Sequence, residues 1–274
     1  MAKSKLSREF MALTRAVSAA IVNCELTHLA RTPLDVERAR AQHTDYTNAL
    51  AALGGRVLRL PDAPDLPDAV FVEDTAVILD ELAIITRPGA ATRRAETADV
   101  AAALAAYRPL AHITAPATLD GGDVLRVDRR LFVGQSERSN AAGIAQLRAH
   151  VAPFGYTVTE VGLRDCLHLK TAVTQVAPNT LLINRDWVDA TVFAGFELID
   201  VDPAEPSAAN ALLLNGRLIF PNAYPRTRRR LEAHGVRVVG LDADELAKAE
   251  GGVTCCSLIL PLAEAAPPAA AAAA

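Results

Sequence analysis

Hairpin signals recur five times along the chain, and this restricts the possible folds more than any other feature. They start near Val70, Gly122, His168, Asn210 and Val253, at intervals of 52, 46, 42 and 43 residues. Val70 to Leu79 and Leu82 to Thr86 flank Asp80-Glu81, and Asp123 to Val127 and Leu131 to Val133 flank Asp128-Arg129-Arg130. His168 to Val176 and Thr180 to Asn184 flank Pro178-Asn179. Asn210 to Leu214 and Leu218 to Pro221 flank Asn215-Gly216, the strongest turn dipeptide present. A helix and a further strand follow each hairpin: Thr92 to Tyr107 then Leu110 to Thr114, Asn140 to Val151 then Tyr156 to Val161, Trp187 to Phe193 then Phe196 to Val201, and Arg226 to Ala233 then Val236 to Leu241.

A repeated ββαβ unit of this period points to an array or a propeller. The fifth copy begins at Val253 and runs out of chain. The amino-terminal segment supplies what it lacks: a strand at Phe10 to Thr14, a helix from Pro33 to about Leu53 and a strand at Arg56 to Leu60. Closing the ring this way leaves no free sheet edge. An open parallel sheet is disfavoured, because its strands would be joined by helices rather than hairpins. The expected fold is therefore a closed α/β propeller of five modules.

Composition excludes several function classes. The chain of 274 residues is 51% hydrophobic and 22% charged with net charge −4, unlike a basic nucleic-acid binder. No apolar run reaches the ~18 residues of a membrane span. Ala12 to Val22 imitates a signal peptide but is interrupted by Thr14, Arg15 and Ser18. The four cysteines, Cys24, Cys166, Cys255 and Cys256, have no C-x-x-C spacing and read as reduced thiols of a cytoplasmic protein. A zinc site from Cys166, His168 and Cys255 fits the usual ligand spacings poorly, so no metal or other cofactor is expected. One domain over residues 11–262 is expected, with residues 1–10 and 263–274 as flexible termini.

Each module start carries a polar residue on an otherwise apolar run: Glu73-Asp74, then Asp120 and Asp123 around Gly121-Gly122, then His168, Asn210 and Cys255. Equivalent positions in a five-membered ring converge on its axis, so acids, imidazole and thiol would share one central cavity. Buried carboxylates need a cation. Only Lys170 lies within these motifs, placed by strand spacing farther along the face of His168. The substrate is then the missing cation. A guanidinium pairs with carboxylates through forked N–H donors, and its carbon is open to attack by a thiolate. Strand alternation turns Cys256 away from Cys255.

The motifs Phe71-Val72-Glu73-Asp74, Thr86-Arg87-Pro88-Gly89-Ala90, Leu119-Asp120-Gly121-Gly122-Asp123, Leu167-His168-Leu169-Lys170 and Gly251-Gly252-Val253-Thr254-Cys255 resemble those of the dimethylarginine dimethylaminohydrolases. These belong to the pentein superfamily of guanidine-modifying propellers, and the resemblance spans about residues 11–260 in order. It implies hydrolysis of Nω-methylated arginine to citrulline and a methylamine through a covalent thiouronium, by a hydrolase of C–N bonds in linear amidines. It also implies Cys255 as nucleophile, His168 as general acid/base and Asp120 as the carboxylate that binds the guanidinium and supports His168. Asp74 would be a second guanidinium carboxylate, with Glu73 and Asp68 close to the bound substrate, Arg93 and Arg138 would hold its α-carboxylate, and Ala249 would give a main-chain contact to its α-amino group.

The lid would be Ala16 to Thr27, in which Asn23-Cys24 stands where a leucine is usual, and Ala95 follows Arg94 where glycine is common. Cys24 is accordingly a substrate-contact candidate. His168-Leu169-Lys170 departs from the His-x-Asp of arginine deiminases and amidinotransferases, removing a clamp and leaving room for N-methyl groups. Expected partners are a small methylated arginine, neither nucleic acid nor membrane, and a second copy in a homodimer. The runner-up activities are another guanidine hydrolase, acting on arginine or hydroxyarginine, and a non-catalytic binding propeller. The second would lack thiol or imidazole. A papain-like thiol hydrolase is disfavoured, since Cys255 follows His168 and opens no long helix.

Overall fold

The computed structural model describes residues 9–262. The expected terminal segments 1–8 and 263–274 lie outside them, while Phe10, placed with the amino terminus above, already belongs to the first strand and is buried. That strand, β1 (Phe10–Arg15), is followed by α1 (Val36–Ala52) and β2 (Gly55–Leu60). Asp35 caps α1 by accepting from the Arg38 N–H, and Gly54 at φ 94° lets the chain turn out of it.

Four hairpin modules follow. The first has β3 (Ala76–Ile78), β4 (Ala83–Ile85), α2 (Thr97–Leu104) and β5 (Leu110–His112). The second has β6 (Val124–Val127), β7 (Arg130–Gln135), α3 (Ala141–Val151) and β8 (Thr157–Gly162). In the third, a single helical turn, α4 (Leu169–Ala172), precedes β9 (Val173–Ala177) and β10 (Thr180–Ile183), and β11 (Glu197–Asp200) completes it. The fourth has β12 (Leu212–Leu214), β13 (Arg217–Pro221), α5 (Pro225–Ala233) and β14 (Val238–Leu241). After α6 (Asp244–Ala247), β15 (Leu258–Pro261) pairs antiparallel with β1, which pairs parallel with β2.

The described residues thus form five three-stranded sheets, each an antiparallel pair plus a parallel outer strand. The chain termini close the ring as expected. At the Asn215-Gly216 turn both residues have positive φ, 49° and 70°, matching the right-handed twist of the flanking strands. Hydrophobic clusters fill the spaces between modules. One of them packs Leu119, Leu131 and Ile144 between the first and second sheets. The innermost strands β3, β6, β9, β12 and β15 line an axial channel of about 230 Å³.

Where the polar residues sit is a correction to the sequence reading. They are not on strands. Val72–Thr75 and Gly121–Asp123 are 3-10 turns, His168 is the residue before α4, and Val253 to Cys256 form a turn ahead of β15. The cause is long-range bonding that overrides the β-branched bias of these runs. The Glu73 N–H donates to the Cys255 carbonyl (3.0 Å), the Gly122 N–H to Asp74 Oδ1 (2.9 Å) and the Leu169 N–H to Asp123 Oδ1 (3.0 Å). The Asn210 amide donates to the Lys170 carbonyl (3.1 Å) and its oxygen accepts from the Thr254 N–H (3.0 Å). These contacts link module to module and close a circuit around the hub.

Candidate active site

At the hub, the His168 imidazole is held between two carboxylates. Its Nε2 lies 3.0 Å from Asp120 Oδ2 and 3.9 Å from Asp74 Oδ1, and all three side chains are buried. Asp120 is fixed in turn: Oδ1 accepts from the Gly89 N–H (2.9 Å), and its own N–H donates to Ser139 Oγ (3.0 Å). The glycines of the Gly121-Gly122 pair are there for space. A Cβ on Gly122 would stand 2.7 Å from Asp74 Oδ1 and 2.8 Å from His168 Nδ1, and one on Gly121 would collide with the Glu73 carbonyl.

Electrostatics follow from this geometry. Burial works against a charged His168, but Asp74, the Asp120 hydrogen bond and Asp123 outweigh it and raise its pKa to about 9. Burial likewise disfavours an ionised Asp74. The opposing charges of His168 and Arg93, and the Arg93 and Gly122 hydrogen bonds, hold its carboxyl well below the usual range. Burial, then the nearby Glu73 and Asp74, push the Cys255 thiol up to about 12. The Gly252 N–H donates to its Sγ at 3.2 Å. At neutral pH the resting site therefore pairs a thiol with an imidazolium.

Cys255, His168, Asp74, Asp68, Arg93, Arg138 and Ala249 all line one cavity of about 20 Å³, roughly the room for one water. A lid shuts it. The Glu25 N–H donates to both oxygens of Asp68 (3.2 and 3.0 Å), and an Arg138 nitrogen donates to Thr27 Oγ1 (2.8 Å). The N–H groups of Thr27, His28 and Leu29 all converge on the Glu250 carboxylate, at 2.6 to 3.1 Å. Glu250 stands at φ 58° between Ala249 and Gly251, so the lid is tied to the segment that carries the nucleophile.

Several expected site residues have other occupations. Arg93 is buried with its guanidinium committed to Asp74 (2.6 Å), Glu96 (2.8 Å) and the carbonyls of Asp68 and Phe71. Glu73 receives Lys170 Nζ (2.5 Å) and Thr254 Oγ1 (2.7 Å), and it lines the axial channel rather than the lidded cavity. The hub acids are thus partly compensated by the protein's own cations, which the sequence reading had left to the substrate. Lys170 lies on the helical turn α4, not on a strand beside His168. Cys24 packs in the core with Ile21 and Tyr46, and Arg31 contacts its sulfur at 3.8 Å. Its side chain lines neither the lidded cavity nor the larger one beside the thiol. Cys256 is buried in the same core cluster, turned away from Cys255 by a turn rather than by strand alternation.

Asp123 was marked in the sequence as a polar residue at its module start but was given no role. It is fully buried and accepts from Ser136 Oγ (2.6 Å), Ser139 Oγ (2.6 Å) and the Leu169 N–H, beneath both Asp120 and His168. Its place in a Gly-Gly motif was the available signal. Glu250 and Glu96 carried none. Among the described residues, Asp74, Asp120 and His168 are the one trio whose ligand-type atoms lie within 4.8 Å of each other. Those atoms are already engaged with one another, with Arg93 and with Gly122, so the trio is better matched to proton transfer than to an ion.

The family model for eukaryotic N,N-dimethylarginine dimethylhydrolase matches residues 30–262. The chain belongs to the dimethylarginine dimethylaminohydrolase family. It is 40% identical over 252 residues to a curated N(G),N(G)-dimethylarginine dimethylaminohydrolase of Streptomyces coelicolor, covering 91% of this chain and 96% of that one. Identity to the Pseudomonas aeruginosa enzyme of the same name is 37% over 226 residues, covering 82% and 89% of the two chains. A solved structure of dimethylarginine dimethylaminohydrolase from that organism, a cysteine-to-serine mutant complexed with citrulline, superposes with a TM-score of 0.88. It is 33% identical and covers 93% of this chain and 100% of its own. The amino-terminal domain of ArgZ, a cyanobacterial arginine dihydrolase, has a TM-score of 0.83 at 19% identity and shares the fold. The pentein propeller expected from the repeat is thereby established, and family members are hydrolases of guanidino C–N bonds. No helix among the described residues is long and apolar enough to cross a membrane.

Proposed function

We propose that this protein hydrolyses Nω-methylated L-arginine to L-citrulline and methylamine or dimethylamine. The observation that carries the reading is His168, backed by buried Asp120, sharing one lidded cavity with Asp74 and the Cys255 thiol. A guanidinium entering that cavity meets Asp74, and its charge drives the Cys255 thiol proton out to solvent, offsetting the burial and the Glu73 and Asp74 charges that raise the thiol pKa. The thiolate adds to the guanidinium carbon. His168, protonated at neutral pH, gives its proton to the substituted nitrogen; the C–N bond breaks and the amine leaves from a thiouronium. The neutral imidazole then takes a proton from water, the oxygen adds to the same carbon, and the C–S bond breaks to release citrulline.

Arg138, whose guanidinium has one hydrogen bond to the lid, is the residue we assign to the α-carboxylate. Arg93 acts on the reaction by orienting Asp74. Asp68 and the Ala249 main chain sit where an α-ammonium would be held, and the Glu73–Lys170 pair lies on the axial-channel side of the hub. Lys170 on Glu73 leaves no acid clamp at the second guanidinium edge, which favours an N-methylated substrate. A cytoplasmic location and a homodimer stay part of this proposal. Reduced, buried Cys24, Cys166 and Cys256 favour the first, and size-exclusion chromatography with light scattering tests the second.

The purified protein should release citrulline from asymmetric dimethylarginine or monomethylarginine. Cys255→Ser should abolish turnover, and Cys256→Ser should retain it. Arginine and hydroxyarginine, run alongside, test the runner-up activity. Full activity in Cys255→Ser, or release from arginine alone, overturns the proposal.

A further inference from the structure

The reaction just described requires an exchange while citrulline is still half-formed: an amine must leave and a water must enter. The lidded cavity leaves room for about one water, and Glu250, Asp68 and Arg138 all hold the lid down. A second cavity, of about 360 Å³, abuts the other side of the nucleophile turn. Cys255 and Gly252 form part of one wall, and Trp187 and Tyr224 are among its other lining residues. Leu167, Glu250, Gly251 and Cys255 line both cavities, so the thiol stands at their junction.

The chemistry of the larger cavity has a sign. Its lining includes Asp165, Asp244 and Glu250 and no lysine or arginine; Asp244 is paired from outside the cavity with Arg38 and Gln42, and Glu250 with the lid N–H groups. Aromatic rings with an acidic lining suit a small alkylammonium, whose methyl groups take apolar surface while the charge faces rings and acids. The volume is ample for two methyl groups on nitrogen.

We infer that this cavity is the amine subsite and exit of the reaction, and the entry for the hydrolytic water, used while the lid stays shut. This rests on the hydrolase reading above. The amine leaves His168 as a neutral molecule carrying the proton that the imidazolium gave it. In the cavity it takes up from solvent a proton equivalent to the one Cys255 gave up and becomes the ammonium that the acidic lining holds. His168 is left neutral, ready to deprotonate the water that comes in by the same route.

The test fills the cavity from positions remote from the hub, with Ala223→Trp on an exposed loop and Ala247→Trp on α6. Saturation-transfer NMR with dimethylammonium chloride should show binding to the wild type that both folded variants lose. With monomethylarginine and dimethylarginine compared, kcat should fall at least fivefold more for the dimethyl substrate in the variants, with KM changed less than about twofold. Two variants are used so that a misfolded one leaves the other decisive. Unchanged kcat ratios and unchanged dimethylammonium binding in a folded variant overturn the inference. Absence of citrulline from the wild type would instead overturn the hydrolase reading, and the NMR arm would still report on the cavity.

Discussion

Asp123 provides a discriminating test of the hub, because stability and activity should respond to it in opposite ways. Burial raises its carboxyl from 3.8 to about 6, against the opposing help of His168, Ser136 and Ser139. A carboxyl raised on folding favours the folded state most below 3.8 and loses that contribution as pH climbs through about 6. At pH 7 the ionised group therefore stands about 3 kcal/mol worse than a neutral one would, taking 1.36 kcal/mol per pH unit. Asp123→Asn removes that penalty. Its amide oxygen can keep the Leu169 N–H; its NH2 meets two serine hydroxyls that already accept backbone N–H groups, so those two bonds are lost at about 1 kcal/mol each, less than the charge relief. The variant should melt at or above the wild-type temperature. Asp123→Ala instead strands the buried Leu169 N–H and opens a void, costing about 2–4 kcal/mol, or roughly 4–12 °C of Tm for a chain this size. Activity runs the other way. Asp123 is one of the charges that raise His168, so the asparagine variant should move the alkaline limb of its pH–rate profile below about 9 and lose kcat about tenfold or more. Citrulline release over pH 6–10 and differential scanning calorimetry on both variants decide it. An asparagine variant with an unmoved alkaline limb, or equal Tm losses in the two variants, refutes the reasoning.

Other outcomes follow from the same geometry. Gly122→Ala should fold yet lose about 100-fold or more in kcat, since the new methyl forces Asp74 and His168 apart at the reacting centre. Glu250→Ala releases the N–H groups of Thr27, His28 and Leu29, so iodoacetamide should label Cys255 severalfold faster than in wild type; equal rates by mass spectrometry count against the latch. Without substrate, labelling of Cys255 should quicken about tenfold per pH unit up to at least pH 10, as a thiol held near 12 requires, and a plateau near pH 8 would contradict it. Lys170→Met should cost about 3–5 kcal/mol in denaturant unfolding by leaving buried Glu73 without its cation, and Lys170→Met with Glu73→Gln should recover most of that.

What the sequence made legible was the order of the modules and the residues that meet at the hub. Both are written locally, in turn dipeptides such as Asn215-Gly216 and in Gly-Gly pairs that admit close approach. The conformation of the hub segments was not legible, because it is set by partners far along the chain. Val72 to Thr75 reads as β-prone, yet the Glu73 N–H is bound to a carbonyl 182 residues away, and a local propensity of a few tenths of a kcal/mol does not compete with closing that circuit. Register arguments built on strands therefore placed Lys170 beside His168 when a helical turn aims it at Glu73. The burial of Cys24 beside Arg31 and the core cluster was likewise not written locally.

The protein's own cations change what the substrate is needed for. Glu73 has Lys170, Asp74 has Arg93, and Asp120 has the imidazolium of His168. Asp123 is satisfied by hydroxyls and an N–H. The carboxylates are thus accommodated before any guanidinium arrives, and the thiol is the hub group still holding a proton that the surrounding acids make hard to remove. Binding a guanidinium and ionising Cys255 exchange one positive charge for another, so the hub's net charge is conserved through the docking step. An uncharged product offers no such exchange. Citrulline leaves the thiol protonated, which returns the nucleophile to its resting state and favours release over reversal.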